Sequence, residues 1–424
     1  MMDAFQAGFA KVDITPAVGS EMPGGFFKHY ATGTHDPLYV RAAWFGNGSD
    51  SLALVSVDCV FLEASCIAKA RDLVESSLGC PVPMLITATH THTGGPTGEV
   101  LMSQADPDYL LSVARAISGA VAVASKIARP AHIRVGCGEL HGLAFNRRFR
   151  MKDGSVKTNP GYGNADIDHA LGPADPAVTT LGVYDQSGAL FGCIANFTCH
   201  TTLMTGDEYS GDYPAWIERS LGVPTVYLPG AIGDVNQCDF VNGRREDAFG
   251  PEAARRAGQA IASAALEALE SADDQHEPAI AAKSETLELP LRGPSAPQVR
   301  EATELWRSGR EKTVEHVYAR ELVLLDVIFR EQASMPCELL ALRIGDLRIG
   351  AASVQPFCQL GLDVKDGFDP VAFCGLANGH LGYVGYRHHY DEGGYELELK
   401  RTSKLAPGSG EMLVQALRRE LESI

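Results

Sequence analysis

The chain has 424 residues, 45% of them hydrophobic and 21% charged, and carries a formal net charge of -17. That is a globular composition with ample apolar residue for a large core. Its acidity argues against nucleic acid and anionic membrane surfaces as partners.

In chain order, residues 38–45 and 52–57 read as strands across the turn signal Gly46-Asn47-Gly48-Ser49-Asp50. Residues 63–78 read as a helix ending at Gly79, 84–89 as a strand that delivers His90, and 108–127 as a buried helix rich in Ala and Val. Strands are expected at 132–135 and 178–184, separated by a Gly/Asn/Asp-rich loop over 147–175 whose length marks it as functional. A strand at 190–197 delivers His200; a helix at 213–221 and a strand at 225–228 follow. Residues 252–269 and 299–331 read as helical, 339–344 and 347–351 as a hairpin across Gly345-Asp346, 371–376 as a strand and 411–421 as a closing helix. This is an α/β pattern: mixed β-sheets flanked by helices. No Pro/Ser-rich linker and no solenoid or propeller repeat interrupts it, so residues 1–424 are expected to form one domain.

No apolar stretch reads as a membrane span, and residues 1–10 do not read as a signal peptide. Ten cysteines without a Cys-x-x-Cys pair read as free thiols of a cytoplasmic protein. Nucleophile-elbow, Walker and dinucleotide-binding motifs are missing, which argues against nucleotide and nicotinamide cofactors.

The chemistry concentrates in four stretches. In Thr89-His90-Thr91-His92-Thr93 two imidazoles lie two positions apart after an apolar strand, so both face one point, as a metal ion or a reacting substrate requires. Asn196-Phe197-Thr198-Cys199-His200 again places a histidine after a strand. The Gly-rich turn Pro229-Gly230-Ala231-Ile232-Gly233-Asp234 lets backbone N–H groups approach a ligand and delivers a carboxylate. The segment 375–396 gathers His380, Tyr383, Tyr390, Tyr395 and Glu396, with His380 and Tyr390 taken as substrate contacts. Ligands of α/β folds bind at the carboxyl ends of strands, which places these stretches at one site.

These motifs, with Gly8 to Pro16, Gly24-Gly25, His35 to Ala42, Ser56 to Asp58 and Asn146-Arg147, resemble the neutral (non-lysosomal, alkaline) ceramidase family through its catalytic domain. The resemblance runs nearly end to end and implies one zinc ion, held in that family by two histidines, a glutamate and a tyrosine. It puts the histidine ligands on His90 and His200 and the tyrosine on Tyr383, with His92 facing substrate and Arg147 and Tyr395 contacting it. Two departures matter. Gln355 stands in the glutamate's place, so the amide itself, or a carboxylate such as Glu396 or Asp212, would complete the site. Asn236, followed by Gln237, stands in the place of the ceramidase serine, as a substrate contact.

The expectation is therefore a zinc-dependent hydrolase cleaving an amide (N-acyl) bond in a small soluble substrate other than ceramide. The accessory C-terminal domain of ceramidases is expected to be missing, and a homo-oligomer stays open. His92 would orient substrate or shuttle a proton, Tyr395 or Arg147 would stabilise the oxyanion, and Asp234 would orient a ligand histidine from behind. A carbohydrate-active hydrolase or lyase on the same metal, and a non-catalytic binding protein, remain as alternatives.

Overall fold

Three times along the chain the same series recurs: a strand, an antiparallel hairpin, a helix, a parallel edge strand and a closing helix. The computed structural model describes residues 5–48, 50–309 and 313–424. The first unit runs through strand Gln6–Asp13, hairpin Tyr39–Asn47 and Asp50–Val57, helix Ala64–Leu78, strand Met84–Ala88 and helix Pro107–Lys126. The second uses His132–Glu139, Ala177–Tyr184 with Leu190–Phe197, Asp212–Leu221, Thr225–Pro229 and Pro251–Glu270. The third uses Ile280–Pro290, Ser334–Ile344 with Leu347–Ala352, Cys358–Lys365, Val371–Cys374 and Ser409–Glu422. In each unit the first helix is the crossover that two adjacent parallel strands require.

The inner faces of the three sheets share one core. Phe45, Leu54 and Leu85 from the first sheet meet Leu181, Ile194 and Val226 from the second and Leu340, Leu342 and Ile349 from the third. Each outer face is covered by its own helices, as where Ala70, Val74, Val113 and Ile117 pack on Val55 and Ile86. Strands buried on both faces carry continuous apolar runs, which is why 84–88 and 225–229 are so uniformly apolar.

Hydrogen bonds join the units, several of them at the carboxyl ends of the parallel strands. Asn378 accepts from the Ile86 amide (2.8 Å) and donates to the Met84 carbonyl (3.0 Å). The Gly375 amide donates to Pro229 (3.0 Å), and the Asn196 amide to the Phe373 carbonyl (2.9 Å). Thr201 Oγ1 donates to the Thr89 carbonyl (2.6 Å). A buried ion pair adds to this: Arg41 of the first sheet reaches Asp58 (2.7 Å) and, on the second unit's helix, Glu218 (2.9 Å).

The mixed sheets flanked by helices agree with the α/β expectation, and most expected elements appear within a few residues of their bounds. The threefold series escaped a search for short-period repeats because its units are over a hundred residues long and share a pattern, not residues. The expected loop 147–175 is instead folded into a small sheet of Arg148–Met151, Val156–Thr158 and Ile167–Ala170, strands too short to show a periodic signal. The expected helix 299–331 is two helices, Ala296–Arg307 and Val314–Glu331; the first stops before Gly309, whose φ is +70°, and residues 310–312 lie outside the described ones. Ser49 of the first turn signal and residues 1–4 also lie outside them. Strands Gln6–Asp13 and Ile280–Pro290, absent from the sequence reading, open their units. Helix Pro107–Lys126, 20 residues long and with a mean hydropathy of 1.2 over an 18-residue stretch, does have the length and composition of a short span, against the sequence reading; Val113, Ile117 and Val121 bury its apolar side on the first sheet. The ten cysteines are free thiols, as expected.

The shared core predicts a single cooperative unfolding transition. Arg41→Met, which leaves the buried Asp58 without its cation while Glu218 keeps Lys11, is expected to move that transition to lower urea by the equivalent of about 3–5 kcal/mol. Urea titration followed by circular dichroism checks both: two separated transitions would contradict the shared core, and an unmoved midpoint the ion pair's role.

Candidate functional site

Each unit sends its parallel strands toward the same point. The strand ending at Ala88 is followed by His90 and His92, the strand ending at Phe197 by His200, and the strand ending at Ala352 by Gln355. His90 adopts φ +67°, a left-handed conformation rarely taken by a non-glycine residue and often found at functional sites. Its amide is held by the Cys59 carbonyl (3.0 Å).

The three histidines form one cluster. His90 Nε2 lies 3.1 Å from His200 Nε2 and 3.4 Å from His92 Nε2, and the ring nitrogens of all three lie within 4.8 Å of one another. The other nitrogen of each ring is tied back. His90 Nδ1 faces the Val60 carbonyl at 2.5 Å and His200 Nδ1 the Ile232 carbonyl at 3.0 Å, while His92 bonds to the backbone of Gly24. A carbonyl only accepts, so each Nδ1 carries the proton and each Nε2 presents a lone pair. Gly24 is needed for this contact: at φ +122° it admits no Cβ, which would strike His92 Nδ1 at 2.7 Å.

Burial keeps the cluster uncharged. It lowers the His92 pKa to about 4, with the Arg147 charge adding to the effect. Burial also holds His90 and His200 well below the usual imidazole range, aided by neighbouring His92 and Arg147 respectively.

Two lone pairs facing each other across 3.1 Å repel unless a cation lies between them. A tetrahedral zinc ion with nitrogen ligands at about 2.0–2.1 Å separates its donors by roughly 3.3 Å. The imidazole set therefore fits such an ion. The Gln355 amide reaches 3.1 Å from His90 Nε2, and turning its terminal group over presents the carbonyl oxygen at the same place. Among the described residues no carboxylate joins the cluster.

The cluster lies against a cavity of about 580 Å³ lined by His92, His200, Arg147, Asn236, Tyr383 and Tyr395. Arg147 is fixed by Glu396 (Nε to Oε1, 2.7 Å) and by the Gly233 carbonyl (2.7 Å), and its Nη2 donates to the Tyr383 hydroxyl (3.3 Å). Tyr383 is pushed up by burial, partly opposed by Arg147. Tyr395 packs edge-on against Tyr383, and Lys400 stands 4.1 Å from the Tyr395 ring centre. Asn236 donates to Asn159 (3.0 Å) from the small sheet's loop.

Several expected positions are elsewhere. Asp234 does not touch a histidine: it accepts from Asn146 (2.8 Å) and the Cys358 amide (2.7 Å), and burial raises it to about 6. The backbone carbonyls of Val60 and Ile232 orient the histidines instead. Glu396 is spent on Arg147 and Thr158 (2.7 Å), and Asp212 on the Met204 and Tyr213 amides, so neither replaces the missing carboxylate. His380 stacks on Phe61 (4.3 Å) and lines a separate cavity of about 550 Å³. Tyr390 is packed under Arg292 (4.8 Å) against the third core. Sequence reasoning missed Phe26, Thr158, Asn159, Gln237 and Arg245, which also line the histidine cavity. They come from connecting segments, where only polar and aromatic content, not spacing, signals a wall.

Among solved structures, a neutral ceramidase from Pseudomonas aeruginosa matches 99% of this chain and 75% of its own, with a TM-score of 0.74 and 20% identity. The chain has the neutral-ceramidase fold. A ceramidase solved in complex with C2 gives 0.72 and 17% over the same shares. No family model matches the sequence, and no curated protein matches it. The resemblance read from the motifs is thus borne out in the ceramidase fold, and the histidine cluster is set where the parallel strands of that fold end.

All three imidazoles titrate lower in the folded chain than their unfolded value of about 6.5. Below that value the unfolded chain binds protons that the folded one refuses, so stability falls as pH drops from about 6.5 toward 4. For chelator-treated protein, the urea midpoint is expected to fall between pH 7 and 5, and less so in His92→Gln. Equal losses in both proteins would place the titration elsewhere.

Proposed function

We propose that the protein is a metal-dependent hydrolase, with zinc as the ion, cleaving an amide bond in a small soluble N-acyl substrate that is not ceramide. The observation that carries this reading is three neutral imidazoles with lone pairs converging at the wall of one cavity. The ceramidase fold of the solved neighbours supports the bond class. Asn236 in the serine's place, followed by Gln237, supports a substrate other than ceramide. The ten free thiols support a reducing compartment, the cytoplasm.

His90, His92 and His200 would hold the ion, with Gln355 and Tyr383 beside them. When bound, it supplies Lewis acidity and an activated water near neutral pH. Arg147, immobilised by Glu396 and Gly233, points its remaining donor capacity at the substrate carbonyl and stabilises charge developing there. Tyr395 closes the same wall and adds a hydroxyl donor. If His92 stays off the ion, its Nε2 lone pair would take the proton that the attacking water gives up and hand that proton to the leaving amine.

Elemental analysis of purified protein is expected to find about one zinc per chain, lost in His90→Ala/His200→Ala. With zinc present, turnover is expected on a panel of N-acyl compounds and not on aryl glycosides. Glycoside turnover alone would transfer the site to carbohydrate chemistry. Tight metal with no turnover on either panel would favour a binding protein.

A further inference from the structure

The chain carries a net charge of -17, yet no Asp or Glu is among the residues lining the histidine cavity, which include two arginines. One of these, Arg147, is neutralised from behind by Glu396. The other, Arg245, is not. Its neighbour Arg244 takes both nearby carboxylates, Glu246 (3.5 Å) and Asp247 (3.1 Å), whereas Arg245 forms no ion pair or side-chain hydrogen bond among the described residues. The Arg245 guanidinium lies over the Phe249 ring at 5.0 Å, and its charge acts on Tyr162 and Cys238, two other wall residues. Stacking holds the planar group in place and leaves its edge donors free. Asp239, the acidic residue closest in sequence to this wall, turns its carboxylate onto the Val241 and Asn242 amides of its own loop.

An acidic protein repels anions at long range, so an exposed cation without an ion-pair partner at the rim of its ligand cavity is a local reversal of the field. We propose that Arg245 reads a carboxylate on the substrate, and that the substrate is an N-acylated amino acid. This rests on the hydrolase reading above and narrows it. A single guanidinium offers two parallel N–H donors, which matches one carboxylate; a phosphate is ordinarily met by several donors or cations. The acyl group would lie along Phe26, Tyr162, Phe240 and Phe249, the apolar part of the wall. Because one cavity includes both Arg245 and the histidines, a molecule bound at the cluster reaches the arginine without leaving it.

The test compares N-octanoylglycine with uncharged N-octanoylethanolamine and with its O-phosphate, on zinc-loaded protein. Hydrolysis and binding by calorimetry are measured in wild type, Arg245→Gln, Arg245→Lys and Arg244→Gln. The acid is expected to exceed the neutral compound about tenfold or more in kcat/KM, as a charge-assisted hydrogen bond supplies. That ratio is expected to collapse in Arg245→Gln chiefly through KM, to recover in part in Arg245→Lys, and to persist in Arg244→Gln, which removes the same charge one residue away. Equal turnover of acid and neutral compounds would overturn the proposal and leave the hydrolase reading intact. Arg245-dependent binding of the acid without turnover of any compound would uphold the proposal and overturn the hydrolase reading. Preference for the phosphate, or loss of selectivity in both arginine variants alike, would overturn the carboxylate assignment.

Discussion

The site depends on one constraint: three imidazoles are buried with their lone pairs turned toward each other. Nothing in the described chain neutralises that arrangement, since the nearest amide, Gln355, bonds only His90 among the three. It persists because each ring is anchored through its other nitrogen to a backbone carbonyl or loop, at Val60, Ile232 and Gly24. The Val60 and Ile232 carbonyls lie three residues beyond the parallel strands that end at Val57 and Pro229. The hydrogen bonds of Gly375, Asn196 and Thr201 join the three units at this same end. The fold is therefore tied together where the cluster needs precision.

A threefold series explains why the histidines come from such distant positions. Each unit delivers residues after its own strands, and two kinds of segment build the walls: those inserted after the opening strands and, for Asn236 to Phe249, Tyr383 and Tyr395, those that follow the edge strands. Phe26 comes from the first insert and Thr158 to Tyr162 from the second, while Tyr318 of the third packs on Phe26 at 6.1 Å. The scaffold and the walls thus come from different parts of each unit, so wall chemistry can change without disturbing the strand ends.

The same division decides what was legible in the sequence. His90, His92 and His200 were readable because each follows an apolar strand directly, and strand geometry settles where the next residues go. Tyr383 and Tyr395 were readable from the family motif. His380 and Tyr390 lie in the same motif but face elsewhere: a loop that doubles back distributes its side chains to both of its faces, and composition does not say which. Asp234 misled for a similar reason. A carboxylate after a Gly-rich turn looks like a ligand's support, but the turn aims it at Asn146 and the Cys358 amide. Arg245 carried no signal, because it is exposed like any surface arginine and only its place on the cavity lining sets it apart.

Charge accounting is also where this site departs most from a zinc site with a carboxylate ligand. Imidazoles and an amide are neutral donors, so an ion held by them keeps its charge unless Tyr383 ionises, and burial works against that. Glu396, the buried carboxylate of the motif, is consumed by Arg147 and Thr158. Gln355 adds no negative charge beside the cluster, and the exposed Arg245 adds a positive one to the cavity lining. That balance favours an occupant that brings negative charge with it. A neutral amide lipid would leave it uncompensated, whereas a substrate bearing a carboxylate supplies it at the position where Arg245 waits. The neutral amide at position 355 and the arginine in the lining act on an occupant with the same sign, so the proposed preference for a negatively charged substrate draws on both.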